Sequence, residues 1–285
     1  MRWTPGGNSP DVEDRRGEGG GRRFGLGAGR LGLGGVVVLL ILSLVFKQNF
    51  FSLVGIGGGD TEAAPAGPVT ASPEEEKLKQ FINFVLDDVQ ASWDKVLPEQ
   101  SGTAYHHAHL VLFRDGIESA CGLAESATGP FYCPGDHKVY VDLGFFQELA
   151  DRFGAPGDFG QAYVLAHEIG HHVQLLLGTE AKMRQLQGEH PAQAKELSVR
   201  FELQADCYAG VWGSSAAQRG ELDPGDSDEG LNAAAAVGDD RIQRMTTGHV
   251  SPEAFTHGSA EQRSQWFRQG LRTGKVSACD TFAAP

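Results

Sequence analysis

An α+β domain behind one membrane segment is the architecture this 285-residue sequence predicts, and three observations carry the prediction. One is a run of sixteen uncharged, mostly aliphatic residues from Leu31 to Phe46. The second is a pair of short strand-like runs, His109 to Phe113 and Lys138 to Leu143. The third is a set of longer apolar stretches at 73–96, 159–177 and 197–212 that read as helices.

Residues 1–30 are rich in Gly and Arg and poor in apolar side chains, which predicts a disordered tail. The run from Leu31 to Phe46 follows, and Phe50, Phe51, Leu53 and Val54 continue it, so the predicted transmembrane anchor covers 31–54. Sixteen helical residues span about 24 Å against a hydrocarbon core of roughly 30 Å, and the aromatic continuation makes up the difference. Arg22, Arg23 and Arg30 precede the run while Asp60 and Glu62 follow it. The positive-inside rule then places the N-terminus in the cytoplasm and the larger part of this single-pass membrane protein outside. A cleaved signal peptide ending at Ala64-Pro-Ala66 is the rival reading, but that site lies far beyond the apolar run and past acidic residues. Residues 55–72 are a Gly/Ala/Pro linker, which leaves 73–285 as one domain with a sizeable core.

Within the domain, Leu78, Phe81, Ile82, Phe84, Val85, Val89 and Trp93 give the first helix its apolar face. His106, His107 and His109 precede the first strand, and on a strand His107 and His109 share a face. No acidic residue or Cys with matching spacing lies nearby, so they read as the exposed entry to a buried strand. The net charge of −13 is uneven: residues 1–30 hold six Arg and four acids, leaving 18 basic against 33 acidic residues in the remainder. Nucleic acid is excluded as a partner on that balance.

Four cysteines agree with an extracytoplasmic domain. Three pairings are formally open. Cys121 with Cys133 would close a compact Gly/Pro-containing loop, and Cys207 with Cys279 would anchor an otherwise free end, which favours that combination. A cysteine zinc cluster is the alternative, and it lacks any C-x-x-C.

The chemistry centres on His167-Glu168-Ile169-Gly170-His171, an H-E-x-x-H within an apolar run. On a helix His167 and His171 share a face and both imidazoles can reach one metal, with Glu168 beside them. Zinc in such a site polarises a scissile carbonyl and lowers the pKa of its water, whose proton the carboxylate takes and later delivers to the leaving group. Asp158 as N-cap with Gln161 three residues on, and Gly178 at the far end, bound the helix at about 159–177. Gly170 costs roughly 1 kcal/mol inside a helix relative to Ala, which calls for close approach of a second element. His172, about 100° round the helix from His171, is assigned to packing or to support of the ligands.

A third ligand comes from the stretch around Glu202 and Asp206. These two carboxylates at i,i+4 on an apolar helix repel each other and are costly to desolvate unless a cation or donor meets them. Glu202 as the third zinc ligand, with Asp206 accepting from the far nitrogen of a ligand His, satisfies both. A solvated helix edge paired with Arg200 or Lys195 is the bland alternative.

H-E-x-x-H followed by E-x-x-x-D on a later helix resembles the gluzincin zinc peptidases. The blocks Ser119–Gly122, Gly129–Pro134, Val139–Leu143, Ala166–Gln174, Glu202–Gly210 and Phe255–Arg263 resemble, in order, those of the bacterial neutral zinc metallopeptidase family, single N-terminal membrane segment included. The resemblance implies a zincin-like domain with a small sheet, one Zn2+ per chain and hydrolysis of a protein or peptide substrate. It also implies that an edge strand before the active-site helix receives the substrate as an added strand, with Lys138–Asp142 the candidate.

His257 precedes a helix that Ser259 and Gln262 would start with a capping box, running to about Arg268. A preorganised imidazole there suits the donor that an oxyanion needs. Membrane metallopeptidases of the CaaX-protease type carry a similar late His followed by Arg, and by that similarity Arg263 orients the site. Tyr132 and Tyr140 are weaker donor candidates. Three functional classes stay open: a membrane-anchored zinc endopeptidase, a non-catalytic envelope scaffold stabilised by zinc, and a zinc amidase or esterase acting on a non-peptide substrate. Retention of Glu168 and only three evident ligands favour catalysis over scaffolding.

Overall fold

A computed structural model describes residues 1–18, 71–125 and 129–283. The 31–54 segment, the linker up to residue 70 and residues 19–30 of the expected tail therefore lie outside the described residues. Among those described, no helix is long and apolar enough to cross a membrane. What is described is an α+β domain, mostly helical with a small mixed sheet.

The sheet holds β1 (Val12–Asp14), β2 (His109–Phe113), β6 (Lys138–Asp142) and β5 (Phe131–Cys133) in that order. The first three run parallel and β5 is antiparallel to β6. Between β2 and β5 in sequence, β3 (Gly116–Ser119) and β4 (Gly122–Glu125) form a separate antiparallel hairpin. Alternation along β2 explains why its residues are uniformly apolar. Leu110 and Leu112 enter the main core under the helices, whereas Val111 and Phe113 enter a small cluster with Ile117, Cys133 and Tyr140 on the other face.

The helices are α1 (Pro73–Ser101), α2 (Gly144–Asp151), α3 (Asp158–Leu176), α4 (Thr179–Glu189), α5 (Ala194–Gln218), α6 (Asp226–Ala236), α7 (Asp239–Thr247) and α8 (Ala260–Thr273). Helix α1 contributes Phe81, Ile82, Val85, Val89 and Trp93 to the main core, as the periodicity predicts. Phe159 of α3 stacks on Trp212 of α5, with ring centroids 5.5 Å apart. The Trp212 indole donates to Asp88 of α1 at 2.7 Å, which ties three helices at one point. Helices α5 and α8 cross where Gly210 and Gly270 leave room. A Cβ on Gly270 would lie 1.9 Å from the Cys207 carbonyl oxygen, so neither backbone could approach with a side chain between them.

Three expectations are corrected. Residues 1–18 are not part of a disordered tail: β1 pairs with β2, Met1 and Ser9 are buried, and the Arg16 guanidinium is 1% exposed. Composition misleads here because the Gly-rich character sets in after these residues, while Trp3, Val12 and the charged pairs around Arg16 supply packing. Asp158 does not cap α3. Gly157 holds the cap position, and the Asp158 carboxylate instead meets the Met1 amino group at 2.6 Å. Lys138–Asp142 is not an edge strand, since it lies between β2 and β5; the edge on that side is β5.

Candidate metal centre and catalytic cleft

Helix α3 carries His167, Glu168 and His171 as one face of a buried rod, and α5 crosses it closely enough to present Glu202. Gly170 permits that approach: a Cβ there would meet the Ala205 carbonyl oxygen at 2.9 Å and its Cα at 3.2 Å. This is the second element that a glycine inside an otherwise apolar helix calls for. His167, His171 and Glu202 each bring one ligand atom within 4.8 Å of the others. Glu202 Oε2 lies 3.3 Å from His167 Nε2 and 3.6 Å from His171 Nε2.

The other ring nitrogens are tied from behind. His167 Nδ1 donates to Asp206 Oδ1 at 2.8 Å, and His171 Nδ1 donates to Gln174 Oε1 at 2.8 Å. Gln174 can accept there because its amide nitrogen donates elsewhere, to the Phe201 carbonyl at 2.7 Å and to Gln204 Oε1 at 3.1 Å. Gln204 in turn donates to the Cys279 carbonyl at 2.9 Å. Both Nε2 atoms are thereby left facing the Glu202 carboxylate, the position from which a metal would displace a proton. Phe201 stacks on the His171 ring at 5.2 Å and fixes its plane.

Asp206 is fully buried beneath His167, with its partners matched to it. Its oxygens accept from Arg263 Nε and Nη2, both at 2.9 Å, from His167, and from the Tyr163 hydroxyl. Burial opposes its ionisation, but Arg263 and His167 outweigh that and keep the carboxyl below its ordinary range. Arg263 also donates to the Val237 carbonyl at 3.1 Å and to Tyr163 at 3.2 Å, so this buried cation is satisfied on several sides. The same balance recurs at Glu202, where burial is overcome by His171 and His167 and the carboxyl is held well below its usual value. His167 is raised to about 10, because Asp206 and Glu202 outweigh burial. Glu168 differs: burial dominates and pushes its carboxyl up.

His167, His171, Glu202 and Arg263 open on one cavity of about 680 Å³. Glu168 and His257 line it, as do Phe131 and Tyr132 of β5, Phe145, Val164, Glu180 and Arg184. His257 is held from behind by Asp239, which accepts from its backbone N–H at 2.7 Å and pairs with Nδ1 at 3.1 Å. That contact raises the imidazole pKa above its ordinary value against the effect of burial. The helix after His257 begins as predicted, with Ser259 and Gln262 forming the capping box, and it runs on to Thr273. Tyr132 spends its hydroxyl on His172 at 2.8 Å, and Tyr140 spends its own on Asp136 at 2.8 Å, so neither aims a free donor at the cavity. Both disulfides form as favoured, Cys121 with Cys133 and Cys207 with Cys279, and there are no free cysteines among the described residues. The first ties the β3–β4 hairpin to β5 at the cavity wall.

Sequence reasoning missed Gln174, Gln204, Asp239 and Tyr163. A signal existed for two of them: Gln174 is a buried amide three residues after His171, and Tyr163 lies one turn before His167. Asp239 and Gln204 reach their partners only through tertiary packing.

Residues 1–282 match the family described as "Putative neutral zinc metallopeptidase". The chain is 44% identical over 284 residues to "Uncharacterized protein YpfJ" of Escherichia coli (strain K12), covering 99% of each. It is 46% identical over 209 residues to "Uncharacterized protein Rv2575" of Mycobacterium tuberculosis (strain H37Rv), covering 70% of this chain and 68% of that one. No solved structure matches. With the H-E-x-x-H helix and Glu202 on one cavity, the buried Asp206–Arg263 pair beneath them, and the match running nearly end to end, the chain belongs to this zinc metallopeptidase family.

Proposed function

We propose that the protein is a zinc-dependent peptidase of the zincin type, with one Zn2+ per chain held by His167, His171 and Glu202. The observation that carries this reading is the state of the ring nitrogens: each Nδ1 is committed to an acceptor, and each Nε2 converges on Glu202 at the floor of an open cavity. Two imidazoles and one carboxylate form a donor set that suits zinc, and three protein ligands beside open space match a catalytic site, whereas a structural site closes with four. Zinc bound there would supply a Lewis acid for the scissile carbonyl and lower the pKa of the attacking water.

The chain's own residues supply the rest. Glu168 takes the proton of that water and passes it to the leaving amine; its raised pKa brings it nearer the operating pH, where proton transfer in both directions is efficient. His257, its charged form favoured by the contact with Asp239, donates to the carbonyl oxygen as negative charge develops on it. Asp206 and Arg263 hold the His167 ring in place. An extended peptide would add to β5, the sheet edge whose Phe131 and Tyr132 face the cavity. A zinc-stabilised scaffold would have no use for a carboxyl buried beside the ligands. The two disulfides support a domain on the oxidising side of a membrane, to which the apolar run at 31–54 would tether it.

Purified protein loaded with one equivalent of zinc, assayed on an unfolded protein substrate, tests the reading. Glu168→Gln should keep the metal and lose on the order of 10²- to 10⁴-fold in turnover, because the proton shuttle goes while the ligands stay. Turnover undiminished by that change would overturn the mechanism.

A further inference from the structure

Residues 1–18 are built into the domain as the edge of its sheet. Val12, Glu13 and Asp14 pair in parallel with Leu110, Val111 and Leu112, with Leu110 N–H donating to the Asp11 carbonyl and Arg15 N–H to the Leu112 carbonyl, both at 2.8 Å. Without β1, β2 would be an open sheet edge, its apolar residues exposed to edge-to-edge pairing. Side chains secure the register. Arg16 pairs with Asp14 at 2.7 Å, with Glu75 at 2.8 Å and with Glu76 at 2.9 Å, the last two from the first turn of α1. Lys138 of β6 pairs with Glu13 at 2.6 Å and Lys79 with Asp14 at 2.8 Å. Ser9 N–H donates to Asn83 at 2.9 Å, Gln90 donates to Asp11 at 2.9 Å, and Trp3 packs on Phe81 with centroids 5.3 Å apart. An Arg 1% exposed with three carboxylate partners cannot leave without stranding charge on both sides.

We infer that the first 18 residues and the peptidase domain occupy the same side of the membrane, the N-terminal segment being the edge strand of that domain. The charge bias around the apolar run instead points to a tail inside and a domain outside, as a single crossing would require. A strand cannot pair across a bilayer, whose hydrocarbon core alone is roughly 30 Å thick against a strand spacing of about 4.8 Å. Positive residues before the run then do not report a cytoplasmic N-terminus. This inference stands on the pairing of β1 and is independent of the zinc chemistry.

The described chain has no free cysteine, so a single added thiol is a clean reporter of sidedness. Asn8→Cys and Glu99→Cys are exposed positions in the N-terminal segment and in α1. In cells expressing the full chain, each is treated with a maleimide that cannot cross the cytoplasmic membrane, before and after permeabilisation. Both thiols should behave alike. Labelling of one thiol in intact cells while the other labels only after permeabilisation would overturn the inference. The unmodified protein offers a second readout: a carbodiimide applied to the permeabilised membranes should convert the Glu13–Lys138 ion pair into an amide, found by mass spectrometry in the monomer-sized band. The same linkage confined to a dimer-sized band would show that β1 belongs to a second copy, and would equally overturn it.

Discussion

Two histidine clusters lie in this domain, one behind the cleft and one at its floor, and they differ in what their ring nitrogens have left to offer. At the floor, His167 and His171 each spend Nδ1 on an acceptor and keep Nε2 for the cavity. Behind it, His172 spends both: Nδ1 accepts from the Tyr132 hydroxyl at 2.8 Å and Nε2 donates to the His106 carbonyl at 2.6 Å. His107 likewise places its two nitrogens on Asp11 at 2.6 Å and Asp94 at 3.1 Å. Electrostatics follow the same division. Burial pushes His172 down to about 4 and keeps it neutral, whereas the carboxylates around His167 raise it to about 10. His171 and His172 are adjacent in sequence, so residue type and proximity do not decide which is a ligand. The ring nitrogen turned toward Glu202 and the cavity does.

Metal content breaks or upholds that comparison most directly. His167→Ala or His171→Ala should abolish zinc binding at one equivalent, because two remaining ligands cannot hold the ion against water. His172→Ala should keep its full equivalent, since neither of its nitrogens is available. Metal analysis after gel filtration reads both, and zinc lost from His172→Ala but kept by His171→Ala would reverse the roles assigned here. Glu202→Ala belongs with the first group.

Next in size is the support beneath the ligands. Asp206→Asn leaves the Arg263 guanidinium buried without its counter-ion, a change that should cost about 3–5 kcal/mol in chemical denaturation of the folded protein. Tyr132→Phe, which removes one donor behind the cleft, should cost about 1 kcal/mol. Equal effects would mean that the two clusters are held by comparable forces and that the buried pair is not special.

How much of this was legible beforehand depends on whether the signal was local. The ligand helix, the α5 carboxylates, the capping box at Ser259 and both strand runs are written in short-range spacing, and they were readable for that reason. The close approach at Gly170 was legible too, because a glycine within a buried helix demands a backbone neighbour. What was not legible is long-range. Asp11 comes from a segment whose composition suggested disorder and meets His107, 96 residues away. Asp239 reaches His257 from another helix, and the position of β6 inside the sheet depends on β5 pairing beyond it. None of these leaves a periodic trace.

Gln174 sharpens the comparison on a finer scale. Its Oε1 is what keeps the His171 Nδ1 committed, so Gln174→Ala should leave the ligand in place but free to rotate. Loss of such a supporting hydrogen bond lowers metal affinity by about 10- to 100-fold. Competition with a chromophoric chelator measures it. An unchanged affinity would show that the Phe201 stack alone orients the ring.

The smallest effect expected is the pH response of His107, which belongs to the cluster with no metal role. Burial works against its charge, but Asp11 and Asp94 outweigh that, so its folded pKa lies above the ordinary value of 6.5. A histidine raised on folding contributes stability that is fully present below the unfolded pKa and is lost as pH rises through the folded one. The wild type should therefore be more stable than His107→Gln at pH 6 and converge on it at higher pH. The ring is 42% exposed, so solvent screening limits the difference to about 0.2–1 kcal/mol. Asp11 belongs to the N-terminal segment, and hydrogen exchange of the amides at 11–14 should follow the same titration. Parallel stability profiles for the two proteins would show that the two His107 ion pairs contribute nothing and that β1 is held by its other contacts.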